Sequence, residues 1–148
     1  MSLKSYLEKI QYNEEDLTNH YGIAAIIYND QKKILMLDHI KFNFWTIPVG
    51  KVTQDQTIEE GLIQELEEEV NITPIDFKQI DKLLKTYPRR GKRVKVDARL
   101  FEVIKYKGKV KNNEPKKHRS MKYMSIEEIK QLPKISHMTK LALKYLSH

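Results

Sequence analysis

Three glutamates, Glu65, Glu68 and Glu69, crowd the second half of the segment IEEGLIQELEEEV, residues 58–70. On a helix, spacings of three and four make them surface neighbours along one edge. Clustered carboxylates can hold a hard cation, exchange protons with a bound molecule, or simply face water. The arrangement works against the helix that carries it. Like charges at these spacings cost roughly 0.2–0.5 kcal/mol per pair, and Gly61 on the same edge costs about 1 kcal/mol relative to alanine. Acids near a helix C-terminus also oppose its dipole. A chain with a formal net charge of +7 has ample lysine for such positions. Concentrated carboxylate therefore fits a Mg²⁺ or Mn²⁺ site, because these ions prefer oxygen ligands. Gly61 would leave room there for the ion's waters and a phosphate. A solvated acidic face is the ordinary alternative, and the helix alone does not separate the two.

The elements that must position these residues can be read in outline. Thr57 with Glu60 forms a capping-box signature, so the helix starts at Ile58. Asn71 tolerates the left-handed conformation and ends it after Val70. Leu62, Ile63, Leu66 and Val70 form the core stripe, with Glu59, Glu60 and Glu67 at or beyond its far edge. Upstream, Tyr21 to Tyr28 (YGIAAIIY) reads as a buried strand. Asn29 to Lys32 reads as a turn and Lys33 to Leu37 as the hairpin partner. Asp38 to Gly50 reads as a loop containing Trp45 and Pro48. Downstream, Ile75 to Tyr87 reads as a strand running into a loop. Val94 to Tyr106 alternates like a long strand, and Lys107 to Lys122 is a polar, basic loop. Ser125 with Glu128 opens another capped helix, with Met124 and Ile129 set for a hydrophobic staple. Met138 to Leu146 forms a closing amphipathic helix, and Ser5 to Ile10 a short opening one. Strands and helices interleave without a strict βαβ rhythm. That order predicts an α/β or α+β sandwich, a mixed sheet covered by helices.

Composition narrows the class. The chain has 148 residues, 40% hydrophobic and 32% charged, the profile of one globular domain with a real core. It has no cysteine, which excludes disulfides, thiolate metal sites and thiol nucleophiles. The charged first twenty residues do not read as a signal peptide, and no apolar run is long enough to span a bilayer. The expected address is the cytoplasm, with no membrane partner. The positive balance points to an anionic partner, which a nucleotide, a nucleic acid or an acidic membrane surface would each satisfy, and charge alone does not choose among them.

The stretch WTIPVGKVTQDQTIEEGLIQELEEEVNI, residues 45–72, resembles the signature of the Nudix (MutT-like) hydrolases. That signature runs from a Gly through five residues to a Glu, then seven more to Arg-Glu-hydrophobic-x-Glu-Glu-x-Gly-hydrophobic. Gly50, Glu65, Leu66, Glu68, Glu69 and Ile72 stand in register, and Trp45 and Pro48 match the usual lead-in. Four positions depart: Gln56 stands for Glu, Gln64 for Arg, Asn71 for Gly, and Val49 for the Gly that usually precedes Gly50. The order of the remaining elements follows the family from Tyr21 onward.

The resemblance implies a Nudix-type α/β/α sandwich over residues 21–148, behind a helical extension of residues 1–20. It implies metal-dependent hydrolysis of a phosphoanhydride bond in a nucleoside diphosphate-linked substrate or a nucleoside triphosphate. The Gly50 carbonyl, Glu68 and Glu69 would hold Mg²⁺ or Mn²⁺. Glu65 would be the general base or a further ligand, and Glu65 and Glu69 the catalytic pair. Family members often recruit a later acid, for which Glu114 in KNNEPKKHRS is the candidate. Two basic clusters could meet the substrate phosphates: Lys85, Arg89, Arg90, Lys92 and Arg93, then Lys116, Lys117 and Arg119. Each is equally readable as a solvated face. Tyr87 and Phe44 could stack on a base or pack the core rim. The five histidines, His20, His39, His118, His137 and His148, show no ligand spacing. Rival readings are a nucleotide-binding fold without turnover, suggested by Gln64 and Gln56, and an RNA-binding protein, suggested by the charge. A monomer or a homodimer is expected.

Overall fold

Two strands at the centre are apolar on both faces, and that property organises the molecule. The computed structural model describes residues 17–147. The expected helix at Ser5 to Ile10, and most of the expected extension over residues 1–20, lie outside the described residues. In β1 (His20–Ile27) the last six residues are buried, and in β2 (Ile34–His39) the first four are. A strand covered on both sides belongs inside a sheet, flanked by neighbours. Each becomes the centre of its own group. β1 lies between β4 (Val49–Val52) and β6 (Lys92–Lys107), and β5 (Thr73–Arg89) closes the edge beyond β6. β2 lies between β3 (Phe44–Thr46) and β7 (His118–Met124).

This arrangement corrects the expected β1–β2 hairpin. The turn forms as read: the Lys32 amide donates to Asn29 O at 2.9 Å, and the Asn29 side chain accepts from Gln31 and Lys33. Beyond one bridge between Tyr28 and Ile34 the two strands part into separate sheets. Turn chemistry specified the reversal, but burial on both faces chose the partners. Two expected loops also hold strands. Asp38 to Gly50 contains β3 and the start of β4, and Lys107 to Lys122 contains the start of β7. Both are edge or short segments whose pairing is set by distant residues. The stretch expected to fade into a loop at Tyr87 instead continues as β5 to Arg89.

Helices cover both faces. α1 (Ile58–Val70) packs Leu62, Leu66 and Val70 against Ile23, Ala25, Leu37 and Phe101. On the opposite face, α2 (Ile126–Lys130) and α3 (His137–Leu146) cover Ala24, Ile26, Met36 and Leu100. The result is the predicted α/β/α sandwich, its mixed strands divided into two hydrogen-bonded sheets. Both capping boxes form as read, at Thr57–Glu60 and Ser125–Glu128. Ile63 is a correction, because it stays out of the core and faces the outer side of α1.

Candidate active site

The site begins with the end of α1. A helix leaves its last carbonyls without internal partners. Here Asn71 takes the left-handed conformation, φ 66°, and its side-chain amide donates to Lys109 O at 3.0 Å. The chain then doubles back to serve the open carbonyls: Lys111 N donates to Val70 O and Asn113 N to Glu69 O, each at 3.0 Å. Asn113 Nδ2 adds a bond to Glu67 O. Capping the helix thus pins residues 109–113 across its end and delivers Glu114 to the glutamate edge. A tight turn follows, in which the amides of Lys117 and His118 both donate to Glu114 O.

Gly50 lies on β4 opposite Ile23 of β1, beneath Glu65. A β-carbon at Gly50 would collide with the Glu65 side chain, standing 2.6 Å from Oε2. Glycine here is required by close approach and not by backbone conformation. Its carbonyl oxygen lies 3.4 Å from where a Gly22 β-carbon would stand, on the β1 side. What Gly50 contributes is therefore space for Glu65. Val49, the departure beside it, has ordinary negative-φ strand geometry and needs no glycine. Gly61 is a correction. A β-carbon there would stand 2.7 Å from Val52 Cγ2, so it lets α1 approach β4 instead of leaving room for a phosphate.

The electrostatics of this corner are unusual. Burial pushes the Glu65 carboxyl up to about 7, assisted by the negative charge of Glu68. Glu69 is only 5% exposed, and burial, then Glu65 and Glu114, holds its pKa well above the usual carboxylate range. Its Oε2 is buried without a hydrogen-bond partner. Such an atom is costly unless something completes it. Lys117 Nζ lies 2.8 Å from Glu114 Oε2, and its positive charge acts on both Glu65 and Glu69. The Lys117 ammonium is in turn pushed up by that bond to Glu114. Sequence reasoning treated Lys117 as a phosphate contact or part of a solvated face, although its i,i+3 spacing from Glu114 signals a pair.

Glu68 occupies a separate edge. Gln64 Nε2 donates to Glu68 Oε1 at 2.8 Å, and Gln64 Oε1 accepts in turn from Gln56 Nε2. Gln56 Oε1 accepts from the Thr53 amide. The two glutamines that depart from the signature thus form one relay that orients Glu68, an arrangement the sequence did not disclose. Together with Glu60, Ile63 and Glu67 these residues line a shallow depression along the outside of α1. Glu67 itself turns away and accepts from Thr73 Oγ1.

Glu65, Glu69 and Glu114 are thus brought into mutual electrostatic reach, with Gly50 beneath and Glu68 alongside. Among the described residues, no three acidic or histidine side chains already form a finished ligand set. Glu114 is engaged by Lys117, and Glu68 by Gln64. The donors nevertheless fit a hard divalent cation. All are oxygens, one buried oxygen lacks a partner, and repulsion between the acids would be relieved by positive charge. Behind the Glu114 turn, His39 stacks with Phe42, Phe44 and His118, ring centroids 4.9–5.9 Å apart. Burial lowers the pKa of both imidazoles, His39 to about 4. Phe44 is therefore half-buried within this cluster, and Tyr87 bonds His137 Nδ1 at 3.1 Å on the far face.

The first basic cluster does not reach this corner. Arg89, Arg90, Lys92 and Arg93 form the turn of the β5–β6 hairpin, where Arg90 and Gly91 both have positive φ. The Gly50 row of the sheet runs through Ile23 and Arg99 to Lys82. At about 3.3 Å per residue, the turn stands about 25 Å along β6 from that row. No helix among the described residues is long and apolar enough to cross a membrane.

Comparison with known proteins agrees with this geometry. The family model for the NUDIX domain matches residues 18–144. The fold is similar to that of a MutT NUDIX hydrolase from Burkholderia pseudomallei. That match has a TM-score of 0.70 at 22% identity, covering 86% of this chain and 97% of the other. It is also similar to a MutT protein from Methanosarcina mazei Go1, with a TM-score of 0.70 at 20% identity, covering 88% and 94%. The NUDIX domain of Shewanella oneidensis NrtR, complexed with ADP ribose, matches with a TM-score of 0.61 at 16% identity over 99% of each chain. In sequence, an RNA pyrophosphohydrolase from Marinomonas sp. (strain MWYL1) is 33% identical over 61 residues. That match spans 41% of this chain and 38% of the relative.

Proposed function

The chain belongs to the NUDIX family, and from that membership we propose that it is a metal-dependent pyrophosphohydrolase acting on a nucleotide or on the phosphorylated end of an RNA. The observation that carries this reading is the buried, coupled carboxylate corner: Glu69 with an unpartnered oxygen, Glu65 pushed up to about 7, and Glu114 held above them. A fold that merely binds nucleotides gains nothing from acids that repel one another in a dry setting.

Glu65, Glu68, Glu69 and Glu114 would hold Mg²⁺ or Mn²⁺, with the backbone at Gly50 close beneath. Such an ion, when bound, screens the charge of a pyrophosphate and acidifies nearby water. The remaining work belongs to the chain. Glu65, with a carboxyl poised near neutrality, suits the removal of a proton from the attacking water. The Gln56–Gln64 relay fixes Glu68 without adding charge. Lys117, released from Glu114, has the reach and charge to meet a substrate phosphate.

The test is a panel of nucleoside triphosphates, nucleoside diphosphate-linked compounds and 5′-triphosphorylated RNA, with and without Mg²⁺ or Mn²⁺. Glu69→Gln is expected to lower kcat by roughly 10²–10⁴-fold, while Glu67→Gln, whose side chain faces Thr73, stays within twofold. Equal rates in the two variants, or nucleotide binding without metal-stimulated cleavage, would reject the catalytic reading.

A further inference from the structure

Positive charge is concentrated at the tip of the β5–β6 hairpin. Of 27 lysines and arginines, six lie between Lys85 and Val96: Lys85, Arg89, Arg90, Lys92, Arg93 and Lys95. None of the 20 acidic residues falls in that span, so the other 21 cations face 20 acids and nearly balance. Residues 105–122 carry a second excess, eight cations against Glu114, but the hairpin tip is the cationic span with no acid at all. The tip also extends past the strand beside it. β1 accompanies β6 only from Val96 onward, so the last pairs, from Thr86–Lys95 to Arg89–Lys92, form a two-stranded ribbon.

We propose that this ribbon is a docking surface for single-stranded RNA whose phosphorylated 5′ end lies in the carboxylate corner. The inference rests on the pyrophosphohydrolase reading, narrows its substrate to RNA and adds a second contact. Three features favour an RNA chain over other polyanions. The cations occupy both faces of the ribbon. Lys85, Arg89 and Lys92 share a face with Tyr87 and Val94, while Arg93 and Lys95 share the other with Thr86 and Pro88. The Tyr87 and Val94 face packs toward α3, with Val94 buried and Tyr87 bonded to His137, so the exposed cations follow the other face and the rim, a line that suits a strand more than a plane. The Arg89 guanidinium lies 5.3 Å from the centre of the Tyr87 ring, a flat pair on which a base can stack. The separation is also informative. A tip about 25 Å from the Gly50 row is beyond any mononucleotide held at Glu65, yet within reach of a chain on the order of ten nucleotides. Lys82 and Arg99 stand on the same face as Arg93 and Lys95, in the row leading to Gly50.

The experiment measures binding of 5′-triphosphorylated RNAs of two and twelve nucleotides in EDTA, across salt, to the wild type and to the combined variant Lys92→Ser, Arg93→Ser, Lys95→Ser. Thermal melting confirms that the variant folds. The expected result is at least a tenfold loss of affinity for the twelve-mer and less than twofold for the two-mer. The slope of log affinity against log salt should fall by about 2, since each single-strand phosphate contact contributes about 0.7. Equal losses for both lengths, an unchanged slope, or an equal loss on phosphatidylserine vesicles that bind as tightly as RNA would overturn the proposal. Nucleotide hydrolysis without length-dependent RNA binding would sink this inference alone. Length-dependent binding without hydrolysis of any substrate would sink the catalytic reading and leave the ribbon standing.

Discussion

The carboxylate corner and the hairpin ribbon both gather like charge, but under opposite physical conditions. Glu69 is buried and Glu65 half-buried beside it, so their repulsion acts through a poorly screening interior, and both carboxyls shift far from their ordinary values. The cations of the ribbon are mostly exposed, and water and salt screen them. The corner survives only because other forces over-determine it. Leu62, Leu66 and Val70 anchor α1, and the last-turn carbonyls tie residues 109–113 across its end. The ribbon requires no such support. Strained charge in a fixed place suits chemistry, and unstrained charge on a projecting arm suits capture. The consequence is testable, because substitutions in the corner should trade activity for stability, whereas substitutions in the ribbon should leave stability alone.

The sharpest break in that contrast comes from Gly50. Gly50→Ala inserts a β-carbon against Glu65 with little effect on packed core, since both residues are only half-buried. Activity should fall roughly 10²–10⁴-fold as Glu65 is displaced, while circular dichroism and melting stay near wild type. Gly61→Ala gives the reverse signature. Its β-carbon meets buried Val52, so the expected cost is about 1–3 kcal/mol of unfolding free energy with catalysis largely retained in the folded fraction. Equivalent behaviour of the two glycine variants would dissolve the distinction between a β4 glycine that makes room for Glu65 and a helix glycine that packs α1 on β4.

A second prediction concerns pH. Folding raises the Glu65 carboxyl from 4.5 to about 7, so between those values the folded state binds more protons than the unfolded one. Stability therefore falls as pH rises through that window, and the loss is complete above about 7. Glu69 acts in the same direction. The buried imidazoles of His39 and His118 act oppositely below about pH 6.5, so the carboxylate effect is read by difference: between pH 5 and pH 8 metal-free wild type should lose more Tm, or gain less, than Glu65→Gln. Glu65→Gln should flatten this dependence and raise Tm at pH 8 by a few degrees. Added Mg²⁺ should raise Tm at pH 8 in the wild type and much less in Glu69→Gln. A variant that is both more stable and less active is the expected signature of charge held for function.

How much of this was legible depended on the range of the forces involved. Thr57–Glu60, Ser125–Glu128 and Asn71 act within a few residues, and the helix ends they fix are where the sequence put them. The register of Gly50, Glu65, Glu68 and Glu69 was legible because one helix and one loop carry it. Glu114 was found by resemblance, but the reason it arrives is the capping of α1 by residues 109–113, a long-range event with no local pattern. The same limit hid β3, β4 and β7, whose partners are remote. It also made Tyr21 to Leu37 look like a hairpin, because the turn is local and the choice of neighbours is not. The glutamine relay was invisible for another reason: Gln56 and Gln64 looked like losses of charge, and only three-dimensional alignment shows them acting as a pair on Glu68. The basic cluster was visible as composition, but its distance from the corner depends on strand length and register.

The smallest expected effect is on the stability of the ribbon. The cations removed in the variant Lys92→Ser, Arg93→Ser, Lys95→Ser lie in exposed strand positions beyond the end of β1 and pair with no acid among the described residues. Exposed substitutions of this kind change unfolding free energy by no more than about 0.5 kcal/mol each. The sign should even turn slightly favourable at low salt, because three like charges leave a ribbon that holds six. Urea denaturation at two salt concentrations measures this directly. A loss of several kcal/mol would mean that the cations serve the fold, and the contrast between a strained corner and an idle, capture-ready arm would no longer hold.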